Sequence, residues 1–329
     1  MVKKIMNNPQ NIVDEMLEGF VYAHTELEWF TGQRTVAKKE KENKVGLISL
    51  GGSGHEPAHA GYIGKGMLDA VAVGNLFASP SPDQILKAIE CANTGKGVLA
   101  ILKNYSGDRM NFSIAKELAE EEGIRVESVV VKDDVAVQDS TYSTGRRGIA
   151  GTVLVHKIAG ACAAEGADLE KVKETAQKAI DNVRSIGISL SACILPGLEK
   201  PGFTLAEDEI ELGMGIHGEP GIKKMQMEPA DELARIMVER ILEDMDYRDQ
   251  ETAVLVNGLG ATPQMELYVL VEGLKKVFAK EKIHPYKILV GNYMTSLEMA
   301  GCSVSLLRLD EELKRLLDAP CSTPGLCIL

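Results

Sequence analysis

The stretch KVGLISLGGSGHEP, residues 44–57, decides the fold: an apolar, β-branched run at 44–50 breaks into a glycine-rich turn that carries His55. KVGLISL reads as a buried strand. Working outward, DAVAVGN is a second strand ending in the turn FASPSPD, and PDQILKAIECA is a helix opened by Pro82 and Asp83. GVLAILK then runs into NYSGD, followed by the helix NFSIAKELAEEEG and the strand IRVESVVV. Strands alternating with helices are the signature of a mainly parallel sheet covered by helices. Three of these strands end in glycine- or serine-rich turns, at His55, at Ser79 and at Lys103 to Asp108. In open α/β sheets ligands bind beyond the carboxyl ends of the strands, so this edge is expected to carry half of a site.

Two helices follow, GIAGTVLVHKIAGACAAEG and DLEKVKETAQKAIDNVRS. After Ser185 come the strands ISLSACIL, EIELGMGI, TAVLVNGLG, KILVGNY and CSVSLLRL, interleaved with helices at about 229–245 and 263–281. The chain therefore reads as an α/β protein of two domains. Residues 1–184 form a mainly parallel sheet flanked by helices, and 185–329 a smaller α+β domain of sheet and helices. A length of 329 residues suits two domains of ordinary size.

A hydrophobic fraction of 45% with 26% charged residues fits a globular protein and not a disordered one. No run approaches the roughly 18 apolar residues of a membrane span. The N-terminal MVKKIMNNPQNIVDEM lacks the apolar core of a signal peptide, so the cytoplasm is the expected location. A net charge of −12 argues against direct nucleic-acid binding. Six cysteines without a CxxC pair, and no histidine at zinc-ligand spacing, read as free thiols; no metal and no disulfide are expected. The P-loop pattern is absent, and GYIGKGM at 61–67 lacks the preceding strand of a dinucleotide fingerprint, so no nucleotide is expected on this chain.

Four motifs carry possible chemistry. GGSGHEP offers successive backbone N–H groups and His55 at a strand end, although a tight turn with a surface histidine needs the same residues. His59, four positions on, raises a two-histidine metal site for which no third ligand lies nearby in sequence. KNYSGD at 103–108 brings an ammonium and a carboxylate into one turn. Asp108 or Asn111 can simply cap the next helix, or Asp108 can accept a hydroxyl proton while Lys103 binds an oxygen. GMGIHGEPG at 213–221 sets His217 among four glycines and a proline. In so open a turn a neutral imidazole can attack an electrophilic carbonyl, or its ring can merely cap the turn. Arg146 and Arg147 of GRRG can meet an anion but read better as solvated arginines at a helix start, and VNGLGATPQ reads as a turn before a proline-opened helix.

Together GGSGHEP, FASPSPDQ, KNYSGD, DDVAV, TGRRGIAGT, FTLAEDEIELGMGIHGEPG, VNGLGATP and the closing LDAP resemble the substrate-binding K subunit of dihydroxyacetone kinases, from about residue 3 to 324. The resemblance implies that His217 forms a covalent hemiaminal through Nε2 with the carbonyl carbon of dihydroxyacetone. It implies His55 and Asp108 as acid–base residues at the hydroxyl to be phosphorylated, with Gly52, Ser53, Gly54, Ser79 and Lys103 placing the substrate. A carbon–nitrogen bond forms only with a carbonyl compound, which separates dihydroxyacetone from the nearly isosteric glycerol. The resemblance further implies a partner: a separate L subunit that holds ADP or ATP with Mg and is recharged from phosphoenolpyruvate by a phosphotransferase system. This expectation rests on the chain stopping before the nucleotide-binding domain that single-chain members append. A homodimer is expected on the same basis.

One departure stands out. The family's turn commonly reads GGGSGHEP, whereas Leu50 replaces its first glycine here. Leu does not readily take φ > 0, so the backbone entering the turn is expected to differ. Two alternatives follow: a non-catalytic paralogue that binds the same ligand and docks on a transcription regulator as a co-activator, or a kinase subunit for a related short ketose such as erythrulose.

Overall fold

Residues 46–53 form the anticipated strand, buried along its whole length. The computed structural model describes residues 3–138 and 145–329. Thr144 of TGRRGIAGT, and Met1 and Val2 of the N-terminal stretch, lie outside the described residues. Helix α1 (Ile12–Ala23) precedes the hairpin β1 (Leu27–Phe30) and β2 (Thr35–Lys38), then β3 (Gly46–Ser53), β4 (Ala70–Leu76) and α2 (Pro82–Ala92). Next come β5 (Val98–Lys103), α3 (Ser106–Glu121), β6 (Val126–Val131), α4 (Thr152–Ala164) and α5 (Leu169–Asn182). The second half runs β7 (Val183–Ser189), β8 (Glu209–Leu212), β9 (Lys223–Gln226), α6 (Ala230–Leu242), β10 (Glu251–Gly258) and α7 (Gln264–Glu281). It closes with β11 (His284–Gly291), β12 (Gly301–Arg308), α8 (Glu311–Asp318) and the short strands β13 (Cys321–Ser322) and β14 (Cys327–Ile328).

Twelve of the described strands build two six-stranded sheets, ordered β1-β2-β4-β3-β5-β6 and β11-β10-β12-β7-β8-β9, and β13 and β14 pair with each other alone. In the first, β4, β3, β5 and β6 are parallel neighbours and the β1–β2 hairpin extends the edge antiparallel. In the second only β10 and β11 pair in parallel. Helices α2 and α3 cover one face of the first sheet through Ile85, Ile89, Phe112 and Ala115. Its other face shares a core with α4 and α5, and this core also takes in Leu255 and Leu307 of the second sheet. Helix α4 is buried from Thr152 to Ala163, which is why TVLVHKIAGACA is apolar nearly all round. Helices α6 and α7 close the far side of the second sheet through Leu233, Met237, Leu270 and Leu274.

Four local readings are corrected. Leu50 sits inside β3 opposite Ala72, fully buried, and it is not among the residues with positive φ, so the strand enters the turn without needing glycine. Replacing Leu50 with glycine would instead empty a core position, at a cost of about 2–5 kcal/mol by analogy with large-to-small core changes. Neither Asp108 nor Asn111 caps α3: the helix starts at Ser106 after Tyr105, and the Asn111 amide donates to the Pro80 carbonyl at 2.7 Å. ISLSACIL ends as a strand at Ser189, and EIELGMGI ends at Leu212 because Gly213 turns the chain at φ +81. The arginines of GRRG are tied down, as described below.

Candidate active site

His217 arrives from the second sheet on the turn after β8. A Cβ at Gly215 would lie 2.1 Å from Glu219 Oε2, so glycine is what allows this turn to fold over its own carboxylate. That carboxylate grips His217 twice: the backbone N–H donates to Oε2 at 2.9 Å, and Nδ1 lies 2.8 Å from Oε1. A carboxylate only accepts, so Nδ1 carries the proton, and whenever the ring is neutral its lone pair sits on Nε2. Burial opposes ionisation of Glu219, but the hydrogen bonds from the His217 ring and backbone, with the attraction that ring exerts when protonated, outweigh it and hold the carboxyl at about 2. Tyr105, His55 and Phe77 wall the ring edge-on, with centroids 4.7, 4.8 and 5.4 Å away.

His55 comes from the other half, beyond β3, and is completely buried. Its Nδ1 lies 2.8 Å from the Thr295 carbonyl, which can only accept, so the lone pair again sits on Nε2. That Nε2 is buried without a protein partner among the described residues. Burial, then the neighbouring His217 and Lys103, push its pKa well below the ordinary histidine range. The ring is therefore a neutral acceptor. Thr295 is held by a network that starts on β10: Asn257 Oδ1 accepts the N–H groups of Tyr293 and Met294, at 2.8 and 2.9 Å.

Asp108 lies in the first turn of α3, buried, where a helix N-terminus favours negative charge, and it accepts a hydrogen bond from Ser79 Oγ. Lys103 ends β5; it is fully buried, its Nζ lies 2.9 Å from His59 Nε2 and 5.8 Å from the Tyr105 ring centre. Gly52 and Gly54 allow close approach, since a Cβ would lie 2.6 Å from Ala78 N or from the Phe77 ring. The Ser53 hydroxyl donates to the Gly74 carbonyl at 2.8 Å, which ties it to the strand edge. Thus His55 meets His217 directly, Ser79 meets Asp108, and Tyr105 links Lys103 to His217.

A family profile described as the Dak1 domain matches residues 18–325. The chain belongs to the Dak1 domain family. It is 50% identical over 314 residues, 94% of this chain and 95% of the relative, to a Listeria innocua protein named PTS-dependent dihydroxyacetone kinase 1, dihydroxyacetone-binding subunit DhaK. It is 41% identical, across 99% of each chain, to the Escherichia coli PEP-dependent dihydroxyacetone kinase, dihydroxyacetone-binding subunit DhaK. Among solved structures, the dihydroxyacetone kinase of C. freundii superimposes with a TM-score of 0.91 at 36% identity, covering 100% of this chain and 61% of that one. A dihydroxyacetone kinase operon co-activator, Dha-DhaQ, superimposes with a TM-score of 0.89 at 36% identity, covering 94% and 96%.

Several residues of this Dak1 site escape a reading of the sequence. Glu219 follows His217 by two positions in GIHGEPG, a spacing that could have flagged it; Phe77, Tyr105 and Asn257 lie within FASPSPDQ, KNYSGD and VNGLGATP without chemistry that singles them out, and Thr295 lies outside every motif. Arg147 departs from the solvated reading. Its guanidinium is buried, donating to Asp134 Oδ2 at 2.8 Å and to the Gly213 carbonyl at 2.7 Å, so it fastens the His217 turn to the first half of the chain. Arg146 pairs with Asp244. Removing one partner of a buried pair leaves the other uncompensated, and Arg147→Ala is expected to cost about 3–5 kcal/mol in chemical denaturation. An unchanged midpoint would mean that Asp134 finds another partner.

The Dak1 core also predicts acid lability. Burial first, then nearby charges, hold His55 and His59 well below the ordinary range and His156 at about 3. Unfolded, each titrates near ~6.5. Between these values the unfolded state binds more protons, so stability rises with pH and is lost as pH falls below ~6.5. The expected loss is about 2 kcal/mol per histidine between pH 7 and pH 5, read from urea denaturation at the two values. A flat profile would show that these rings protonate in the native state.

Proposed function

We propose that this chain binds dihydroxyacetone as a hemiaminal on His217 Nε2 and presents a hydroxyl for phosphorylation by a separate nucleotide-holding L subunit, giving dihydroxyacetone phosphate. The observation that carries this reading is the Glu219 clamp on His217 Nδ1, which leaves the Nε2 lone pair as the nucleophile beside the buried, unpartnered Nε2 of His55. Attack forms the N–C bond as the carbonyl π pair moves to oxygen, which takes up a proton from solvent. The ring becomes an imidazolium whose Nδ1–H faces an ionised Glu219, so the developing charge is stabilised where it arises.

At the hydroxyl, Asp108 accepts the proton as the phosphoryl group arrives and His55 holds or passes it, with Ser79 orienting the carboxylate. Lys103 supplies positive charge beside a substrate oxygen. The nucleotide and its Mg belong to the partner, and positioning supplies much of the rate. The names of the Listeria and Escherichia relatives, PTS- or PEP-dependent and dihydroxyacetone-binding, support the subunit reading. Because Leu50 lies in an ordinary strand, it lends nothing to the co-activator alternative.

The decisive experiment mixes this chain with a cognate L subunit, its recharging partners and phosphoenolpyruvate, after intact-mass detection of the adduct. Turnover that depends on this chain supports the kinase role. An adduct without turnover, beside an L subunit active with another K subunit, overturns it in favour of the co-activator.

A further inference from the structure

Behind the site runs a line of three fully buried basic side chains, two of which the proposed chemistry leaves unused. Lys103 Nζ lies 2.9 Å from His59 Nε2, and His59 Nδ1 lies 3.1 Å from His156 Nε2 on α4. With Lys103 as an ammonium, the direction of these hydrogen bonds is fixed. An ammonium has only donors, so His59 Nε2 accepts; the ring then keeps its proton on Nδ1 and donates to His156 Nε2. His156 must in turn carry its proton on Nδ1, a buried atom without a protein partner among the described residues. Both nitrogens of His59 are engaged, and one faces an ammonium, so the two-histidine metal site considered from the sequence does not fit here.

A buried donor left unpaired is costly, and the arrangement has a visible counterpart in the site. Asp108 and Glu219 are the carboxylates whose charge acts on Lys103, yet among the described residues neither forms an ion pair with it: the imidazole takes the ammonium instead. Room for this exists because residue 51 is glycine, where a Cβ would lie 2.6 Å from Nζ and 3.5 Å from the His59 ring. We propose that His59 and His156 are positioning residues that hold the Lys103 ammonium off Asp108, so that the carboxylate stays available as a base. The proposal rests on the role given to Asp108 above.

The groups around Lys103 are His59 and His156 behind it and His55, Tyr105, Asp108 and Glu219 toward the site. In the unliganded protein, imidazole ¹⁵N spectra are expected to show Nδ1 protonated and Nε2 bare in both His59 and His156. His59 protonated on Nε2, as a neutral Lys103 accepting from it would require, overturns the proposal. His59→Leu is expected to let Lys103 pair with Asp108: the ¹⁵Nζ titration of Lys103 moves to higher pH, and kcat falls about 10–100-fold while the adduct still forms. His59→Gln keeps an acceptor at the Nε2 position and is expected to reverse both changes. If His59→Leu does not fold, His156→Leu against His156→Gln makes the same comparison one bond further back. Unmoved Lys103 titration in the leucine variants overturns the proposal, whatever the kinetics. Should the wild-type chain show no turnover, the functional reading fails on its own, and the spectra and the Lys103 titration still decide the relay.

Discussion

His217→Ala is expected to abolish the covalent mass increment of dihydroxyacetone in intact-mass spectrometry and, with it, phosphoryl transfer. Dihydroxyacetone has only about six non-hydrogen atoms, too few for contacts alone to offset the freedom lost on binding with much to spare. In the proposed reading the covalent bond therefore supplies most of the affinity as well as the selectivity against glycerol. Among the groups assembled at the site, the His217 Nε2 lone pair is the one that a carboxylate clamp on the opposite nitrogen makes available, with 20% of the side chain left exposed to reach a ligand. His55 cannot readily substitute: it is completely buried, with Nδ1 fixed on Thr295. Turnover should fall by at least about 10³-fold, the scale on which losing a covalent nucleophile is felt. A retained adduct in the alanine variant would move the nucleophile elsewhere.

Asp108→Asn is expected to separate binding from chemistry. The side chain is nearly isosteric, its oxygen can still accept from Ser79 Oγ, and the first turn of α3 keeps its geometry. What disappears is the negative charge and the capacity to accept a proton. The adduct on His217 should persist, while turnover with the L subunit drops by about 10²–10⁴, the usual contribution of a general base. Equal turnover in the two proteins would remove Asp108 from the chemistry and leave it a structural role at the helix start.

Much of this site was legible before any coordinates. His55 follows β3, Ser79 the turn after β4, and Lys103 and Asp108 bracket the β5–α3 turn, because local pattern and turn chemistry place strands and their ends. The glycine turn around His217 likewise declared itself. The N-terminal hairpin β1–β2 and β9 escaped, since short edge strands carry little periodicity, whereas α8 was readable from the Asp310 cap and the helical spacing of Leu313, Leu316 and Leu317 and was simply missed. Leu50 was misjudged because a motif comparison cannot say whether the backbone at that position is a turn or still a strand. Arg147 was misjudged because its partners, Asp134 and the Gly213 carbonyl, lie 13 and 66 positions away.

The amino-acid sequence by itself determined the α/β alternation, the strand ends that carry polar side chains, and the residue types capable of nucleophilic and acid–base chemistry. Only the three-dimensional structure decided which ring nitrogen holds the proton in His55, His59, His156 and His217. That depends on partners remote in the chain, Thr295 for His55, His156 and Lys103 for His59, and on the local Glu219 turn for His217. A tautomer follows from the donor or acceptor placed opposite the ring, and the packing of the two sheets around α4 brings most of those atoms together.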